Sequence, residues 1–138
     1  MRIDAHQHFW IYEPVPDAWI DNSLQVIRRD FLPADLSGHL EEHNIDGCIA
    51  VQADQSEDKT NFLLKLADEN PWISGVVGWV DLMALDIEQK LEHYASFLKL
   101  KGFRHIVEAE PEYQSVAKEL RSKLEHLQEQ VGDTPCHL

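Results

Sequence analysis

Asp4, His6 and His8 alternate along the first ten residues, Met-Arg-Ile-Asp-Ala-His-Gln-His-Phe-Trp. On a strand the side-chain period is two, so this spacing predicts one carboxylate and two imidazoles on the same face. Such a group is costly to bury without partners. It suits a pocket in which it meets a metal ion, a substrate or protons to be moved. The other reading is a pair of satisfied polar side chains on an edge strand. A hydrolytic metal needs three or more protein ligands and an open position for water, and His6 and His8 supply two. Further along, Gln52, Trp79 with Asp81, and Arg104 with His105 each follow an apolar run. Arg suits a carboxylate or a developing oxyanion; its plainer use is a surface ion pair. Trp79 is equally suited to a pocket wall or to the core. Gln52 is harder to set aside, because a buried amide needs partners.

The elements that must position these groups follow from periodicity. Residues 2–9 read as a strand. Residues 10–32 are a long connection rich in aromatics and prolines, read as a lid or pocket wall, or otherwise as a surface insertion over apolar area. A helix over 33–44 opens at Pro33 and ends by Asn44. Gly47–Ala53 is nearly all apolar, as in a strand buried on both faces. Ser56 caps a helix to about Asn70, with Phe62, Leu63, Leu66 and Ala67 on its apolar side. Ile73–Asp81 is the third strand. Asp86 caps a helix whose stripe is Ile87, Leu91, Tyr94, Ala95 and Leu98. Leu100–Val107 is the fourth strand, and a last helix spans Tyr113–Val131, with Gly132 as its stop.

The order is β-α-β-α-β-α-β-α, and strands two to four begin 26 and 27 residues apart. That spacing implies a parallel α/β sheet with right-handed crossovers, either doubly wound or part of a (β/α)8 barrel. A barrel takes about 250 residues, so 138 residues supply four βα units, half a barrel. In either architecture ligands bind at the C-terminal ends of the strands. All four predicted ends carry polar or aromatic groups: His6, His8 and Trp10; Gln52; Trp79 and Asp81; Arg104 and His105. His39, His43, His93, His126 and His137 read as solvated.

Composition narrows the partners. The formal charge is −13, which argues against nucleic acid and anionic membrane surfaces. Two cysteines, Cys48 and Cys136, do not make a disulfide framework, so a reducing compartment is expected. Neither a leader nor an apolar run of about 18 residues is evident, which places the chain in the cytoplasm.

Taken together, Asp4-Ala-His6-Gln-His8-Phe-Trp10, Arg29-Asp-Phe-Leu-Pro33, Val51-Gln-Ala-Asp54, Thr60-Asn-Phe-Leu63, Gly78-Trp-Val-Asp81 and Lys101-Gly-Phe-Arg-His105 resemble the amidohydrolase superfamily. The likeness is to its sugar-lactonase branch of L-fuconolactonases and L-rhamnonolactonases, and it is similar to 2-pyrone-4,6-dicarboxylate lactonase. The match covers residues 1–111, leaving 112–138 as a divergent helix and tail. The resemblance implies a (β/α)8 barrel that opens a small-molecule lactone with water. By it, His6 and His8 hold a divalent metal, zinc in most members, or the substrate. His6, His8, Arg104 and His105 are the catalytic candidates, and Trp10, Gln52, Trp79, Asp81 and Arg104 the substrate-binding ones. The family's later strands supply another His and a water-activating Asp, for which this sequence offers no matching position. The expectation is therefore a truncated chain, weakly active or inactive alone. The alternative is a non-catalytic remnant, or one half of a split or homodimeric barrel. A phosphoesterase of the polymerase-and-histidinol-phosphatase type would need more His and Asp ligands at later strands than the sequence contains.

Overall fold

The computed structural model describes residues 1–15, 17–106 and 113–131, the side chains of the last stretch at 114–126. The expected boundary at 111/112, the end of the fourth strand at Val107, the Gly132 stop, and Pro16, Cys136 and His137 lie outside the described residues. Four strands, β1 (Ile3–Gln7), β2 (Gly47–Val51), β3 (Ile73–Gly78) and β4 (Leu100–Phe103), alternate with helices α1 (Pro33–Glu42), α2 (Glu57–Glu69), α3 (Ile87–Ala95) and α4 (Tyr113–Val131). All pairings are parallel and the strand order is β1-β2-β3-β4. That order separates the two architectures left open by periodicity. A doubly wound sheet reverses direction at a switch point, whereas here each strand is added on the same side, as in a barrel wall.

Local chemistry explains the element ends. Pro33 opens α1, and the Asp35 carboxylate accepts the Leu32 N–H at 2.9 Å. Asn44 closes it with φ 53°, a left-handed conformation that Asn tolerates better than most residues. Ser56 Oγ accepts the Lys59 N–H at 3.2 Å at the start of α2. Asp86 precedes α3, but its carboxylate makes no capping bond there, contrary to the expectation from sequence. β1, β2 and β3 are shorter than their predicted spans, because the last residues of each leave the ladder for the strand-end loops, and β4 stops at Phe103, ahead of Arg104. The long connection 10–32 is closed at its base by an antiparallel bridge, Trp10 N–H to Phe31 O at 3.0 Å and Phe31 N–H to Trp10 O at 2.9 Å. Inside it a 3₁₀ segment, Asn22–Ile27, starts at the Asp21 cap, which periodicity did not reveal.

The core lies between the sheet and its helices. Cys48, Ala50, Ile73 and Val76 meet Leu63, Leu64 and Ala67 of α2, Ile87 and Tyr94 of α3, and Leu120 of α4. Of the predicted α3 stripe, Ile87 and Tyr94 are buried and Leu91 is partly buried. The helix stops at Ala95, which leaves Leu98 fully exposed beyond it. Among the described residues no helix is long and apolar enough to cross a membrane.

Candidate active site

The two imidazoles of β1 are brought together at the end of the sheet. The His8 Nδ1 lies 2.9 Å from the Val51 carbonyl of β2. A carbonyl only accepts, so Nδ1 carries a proton and the neutral ring presents a lone pair at Nε2. The Nε2 of His6 stands 3.1 Å from the Nε2 of His8, so in the metal-free pair His6 donates and His8 accepts. Burial holds the His8 pKa below its ordinary value; the Val51 hydrogen bond opposes this, and the charges of His6 and Arg104 add to the lowering. His8 is thus kept neutral, the state needed by a metal ligand or an acceptor.

Two nitrogens each about 2.0–2.1 Å from a tetrahedral ion stand about 3.3–3.4 Å apart. The observed 3.1 Å between the two Nε2 atoms fits such a bite, and the carbonyl behind His8 is the usual partner of a ligating imidazole. Among the described residues no group of three or more His, Cys, Asp or Glu is placed to hold an ion. By themselves His6 and His8 would supply two of the ligands that such an ion takes.

Asp4 does not join the pair as the alternation suggested. The ladder with β2 is irregular between Asp4 and Gln7, and the carboxylate turns back on its own strand. It accepts the His6 main-chain N–H at 3.0 Å and the Gln7 amide at 2.6 Å, so it braces the strand that carries the histidines.

Gln52 follows β2 and is fully buried. Its Nε2 donates to the Arg104 carbonyl at 3.2 Å, across the end of β3. Its Oε1 and the Nη1 of Arg104 are buried without a hydrogen-bond partner among the described residues. Gln55, three residues on, accepts the Ile106 N–H at 2.7 Å. The loop after β2 therefore grips the exit of β4 at two points. Trp79, half-buried after β3, donates its indole N–H to His105 Nδ1 at 3.2 Å. Trp10 stacks on Phe31 at 4.4 Å between centroids, with its own indole N–H buried and unpaired among the described residues. Asp81 is exposed, and one of its oxygens accepts the Met83 N–H at 2.9 Å, which shapes the turn before α3. His39, His43, His93 and His126 are exposed.

A cavity of about 250 Å³ opens between β1 and α1, lined by Gln7, His8, Phe31, Leu36 and His39 among others. Above it Arg29 lies 3.9 Å from the Phe31 ring centroid and pairs with Asp35 at 3.0 Å. Gln55, after Gln52 and Asp54 at the end of the second run, and Phe31, an aromatic of the 10–32 connection, were expected near the site, whereas Gln7 and Thr60 were not. The signal that found Gln52, a polar residue beside an apolar run, applies equally to Gln7.

No protein-family model matches the chain. It is 40% identical over 110 residues to the L-fucono-1,5-lactonase of Burkholderia multivorans, covering 80% of this chain and 37% of that one. It is 35% identical over 107 residues to the L-fucono-1,5-lactonase of Burkholderia ambifaria, with 78% and 37% covered. The fold superposes on a crystal structure of an amidohydrolase from B. multivorans with bound zinc, with a TM-score of 0.85 and 35% identity. That match covers 94% of this chain and 46% of the other. The chain thus spans well under half the length of the lactonases it matches. It is a relative of the L-fuconolactonase-type amidohydrolases and carries four βα units of a barrel of that superfamily.

Proposed function

We propose that the chain supplies one wall of a site that hydrolyses a sugar-acid lactone of the fuconolactone or rhamnonolactone type. Water adds to the lactone carbonyl carbon, the ring C–O bond breaks, and the ring oxygen leaves as the hydroxyl of the open hydroxy acid. The observation that carries this reading is the His6–His8 pair, its two Nε2 atoms 3.1 Å apart and the His8 tautomer held by Val51. His6 and His8 would hold a divalent ion such as zinc, which polarises a carbonyl and lowers the pKa of bound water. Arg104, whose charge is felt at His8, provides N–H donors for the carbonyl oxygen as negative charge develops on it. Trp10, Trp79 and Asp81 stand at the strand ends where the sugar ring would lie, and Gln52 holds Arg104 from behind.

The opposite wall of such a pocket, with a third metal ligand and a water-activating acid, is to be completed by further strands. β1 and β4 are the outer strands of the described sheet and present unpaired edges. A second copy or a complementary half carrying further strands would cover them. Cys48, a buried free thiol, suits the reducing cytoplasm.

Purified chain should be assayed against L-fucono- and L-rhamnono-lactone with and without zinc, beside light scattering and metal analysis. The expected result is weak or undetectable turnover by the chain alone, with zinc retention reduced in His6→Ala and His8→Ala. Zinc retention untouched by both substitutions sinks the metal assignment. Full turnover by a monomer sinks the need for a second wall. A metal-free monomer that no added half activates favours a non-catalytic remnant.

A further inference from the structure

We propose that Thr60 is a positioning residue for His105: by clamping the main chain of Trp79 it aims the indole that fixes His105 as its Nε2–H tautomer. The ladder of β3 runs out at Gly78, whose carbonyl accepts the Arg104 N–H at 2.9 Å. Trp79 is the next residue, and one side chain satisfies both of its main-chain groups. Its N–H donates to Thr60 Oγ1 at 2.7 Å, and that hydroxyl donates to the Trp79 carbonyl at 2.7 Å. The Ser56 carbonyl, also near the hydroxyl, is farther at 3.4 Å, so the single proton goes to Trp79. Thr60 is fully buried on α2. Its approach depends on Gly78, where a Cβ would fall 2.5 Å from Thr60 Cγ2.

The side chain of Trp79 then acts on His105. An indole N–H only donates, so the His105 Nδ1 at 3.2 Å must present a lone pair. The neutral ring therefore carries its proton on Nε2. Nδ1 is thereby closed as a base. If the lactonase reading above holds, His105 does not take the water's proton at Nδ1.

The test needs no substrate. Long-range ¹H–¹⁵N spectra of the imidazole nitrogens near neutral pH, with His105 assigned by loss of its signals in His105→Gln, report the tautomer directly. In the wild-type chain His105 should show an unprotonated Nδ1 and a protonated Nε2. Thr60→Ser, which keeps the hydroxyl, should preserve that pattern. Thr60→Val and Trp79→Phe should shift it to a mixture while His8 keeps its own. A protonated Nδ1 in the wild type overturns the proposal. So does a folded Thr60→Val whose His105 pattern matches the wild type. Should Thr60→Val fail to fold, indole N–H exchange of Trp79 decides: equal protection in the wild type and Thr60→Ser supports the clamp, and an unprotected wild-type indole N–H refutes it. Absence of lactone turnover leaves these spectra unaffected, so the two readings fail separately.

Discussion

Gly78→Ala should be the costliest single methyl that can be added to the described sheet without meeting backbone. The new Cβ would lie 2.5 Å from Thr60 Cγ2, 2.9 Å from Thr60 Oγ1 and 3.2 Å from Thr60 Cβ. Thr60 cannot swing away cheaply, because a β-branched side chain on a helix has few rotamers and its hydroxyl holds both main-chain groups of Trp79. As α2 and β3 are pushed apart, the two bonds break with them. Overpacking costs about 1–3 kcal/mol, and each lost hydrogen bond about 1 kcal/mol. Relief of the glycine's backbone entropy returns roughly 0.5–1 kcal/mol. The expected net loss is about 3 kcal/mol. At ~2.1 cal/mol/K per residue, unfolding 138 residues carries ~0.3 kcal/mol/K, so the melting temperature should fall by ~10 °C. Thr60→Ser removes the Cγ2 that makes the shortest contact. In a double-mutant cycle followed by urea unfolding, Gly78→Ala should therefore cost ~1–2 kcal/mol less in the Thr60→Ser background. Additive losses, or a melting temperature within a degree or two of wild type, would refute the close-approach argument and weaken the clamp with it.

Two further outcomes follow from the same coordinates. At Gly38, on the exposed face of α1, an added Cβ meets nothing within 4 Å; Gly38→Ala should raise stability by ~1 kcal/mol and leave zinc retention unchanged, read by thermal melting and metal analysis. The protein should also lose stability in alkali. Burial pushes the Cys48 thiol from 9.0 up to about 11, and burial with the Glu57 charge pushes the Tyr94 phenol from 10.0 up to about 12. Both folded values exceed the unfolded ones, so this contribution is whole below pH 9 and declines as pH rises through 9 to 12. Urea midpoints should be flat between pH 7 and 8.5 and fall above that, less steeply in Cys48→Ala; a flat profile to pH 11 contradicts the burial.

The sheet was legible because its signals are one-dimensional. Apolar runs starting at Gly47, Ile73 and Leu100 became β2, β3 and β4 at those residues, and the helices between them opened at Pro33 and after Ser56. The meeting of His6 with His8 followed from a period of two, and the positions of Gln52, Trp79 and Arg104 after their strands followed from where the apolar runs end. Commitments of short polar side chains were not legible. Alternation puts Asp4 beside the histidines, yet an irregular ladder lets its carboxylate reach the nearer His6 N–H and Gln7 amide. Asp86 looked like a cap, yet its carboxylate makes no capping bond, and Asp81 gave no sign that one of its oxygens shapes the turn before α3. Thr60 gave no signal as a clamp, because a threonine within a helix reads as a neutral position until the glycine it faces is known.

That pairing also explains how β2 can govern groups two strands away. Neighbouring parallel strands lie about 4.8 Å apart, so β4 is roughly 10 Å from β2, with β3 between. Gln52 nevertheless reaches the Arg104 carbonyl, and Gln55 the Ile106 N–H. The passage lies over the end of β3, where Gly78 contributes no side chain and Thr60 draws the following main chain onto α2. A side chain at Gly78 would push Thr60 away. The Val51 carbonyl meanwhile fixes His8 from the same strand. The His8 ring just after β1 and the main chain of Arg104 after β4 are therefore held by adjacent residues of one chain segment, Val51 and Gln52.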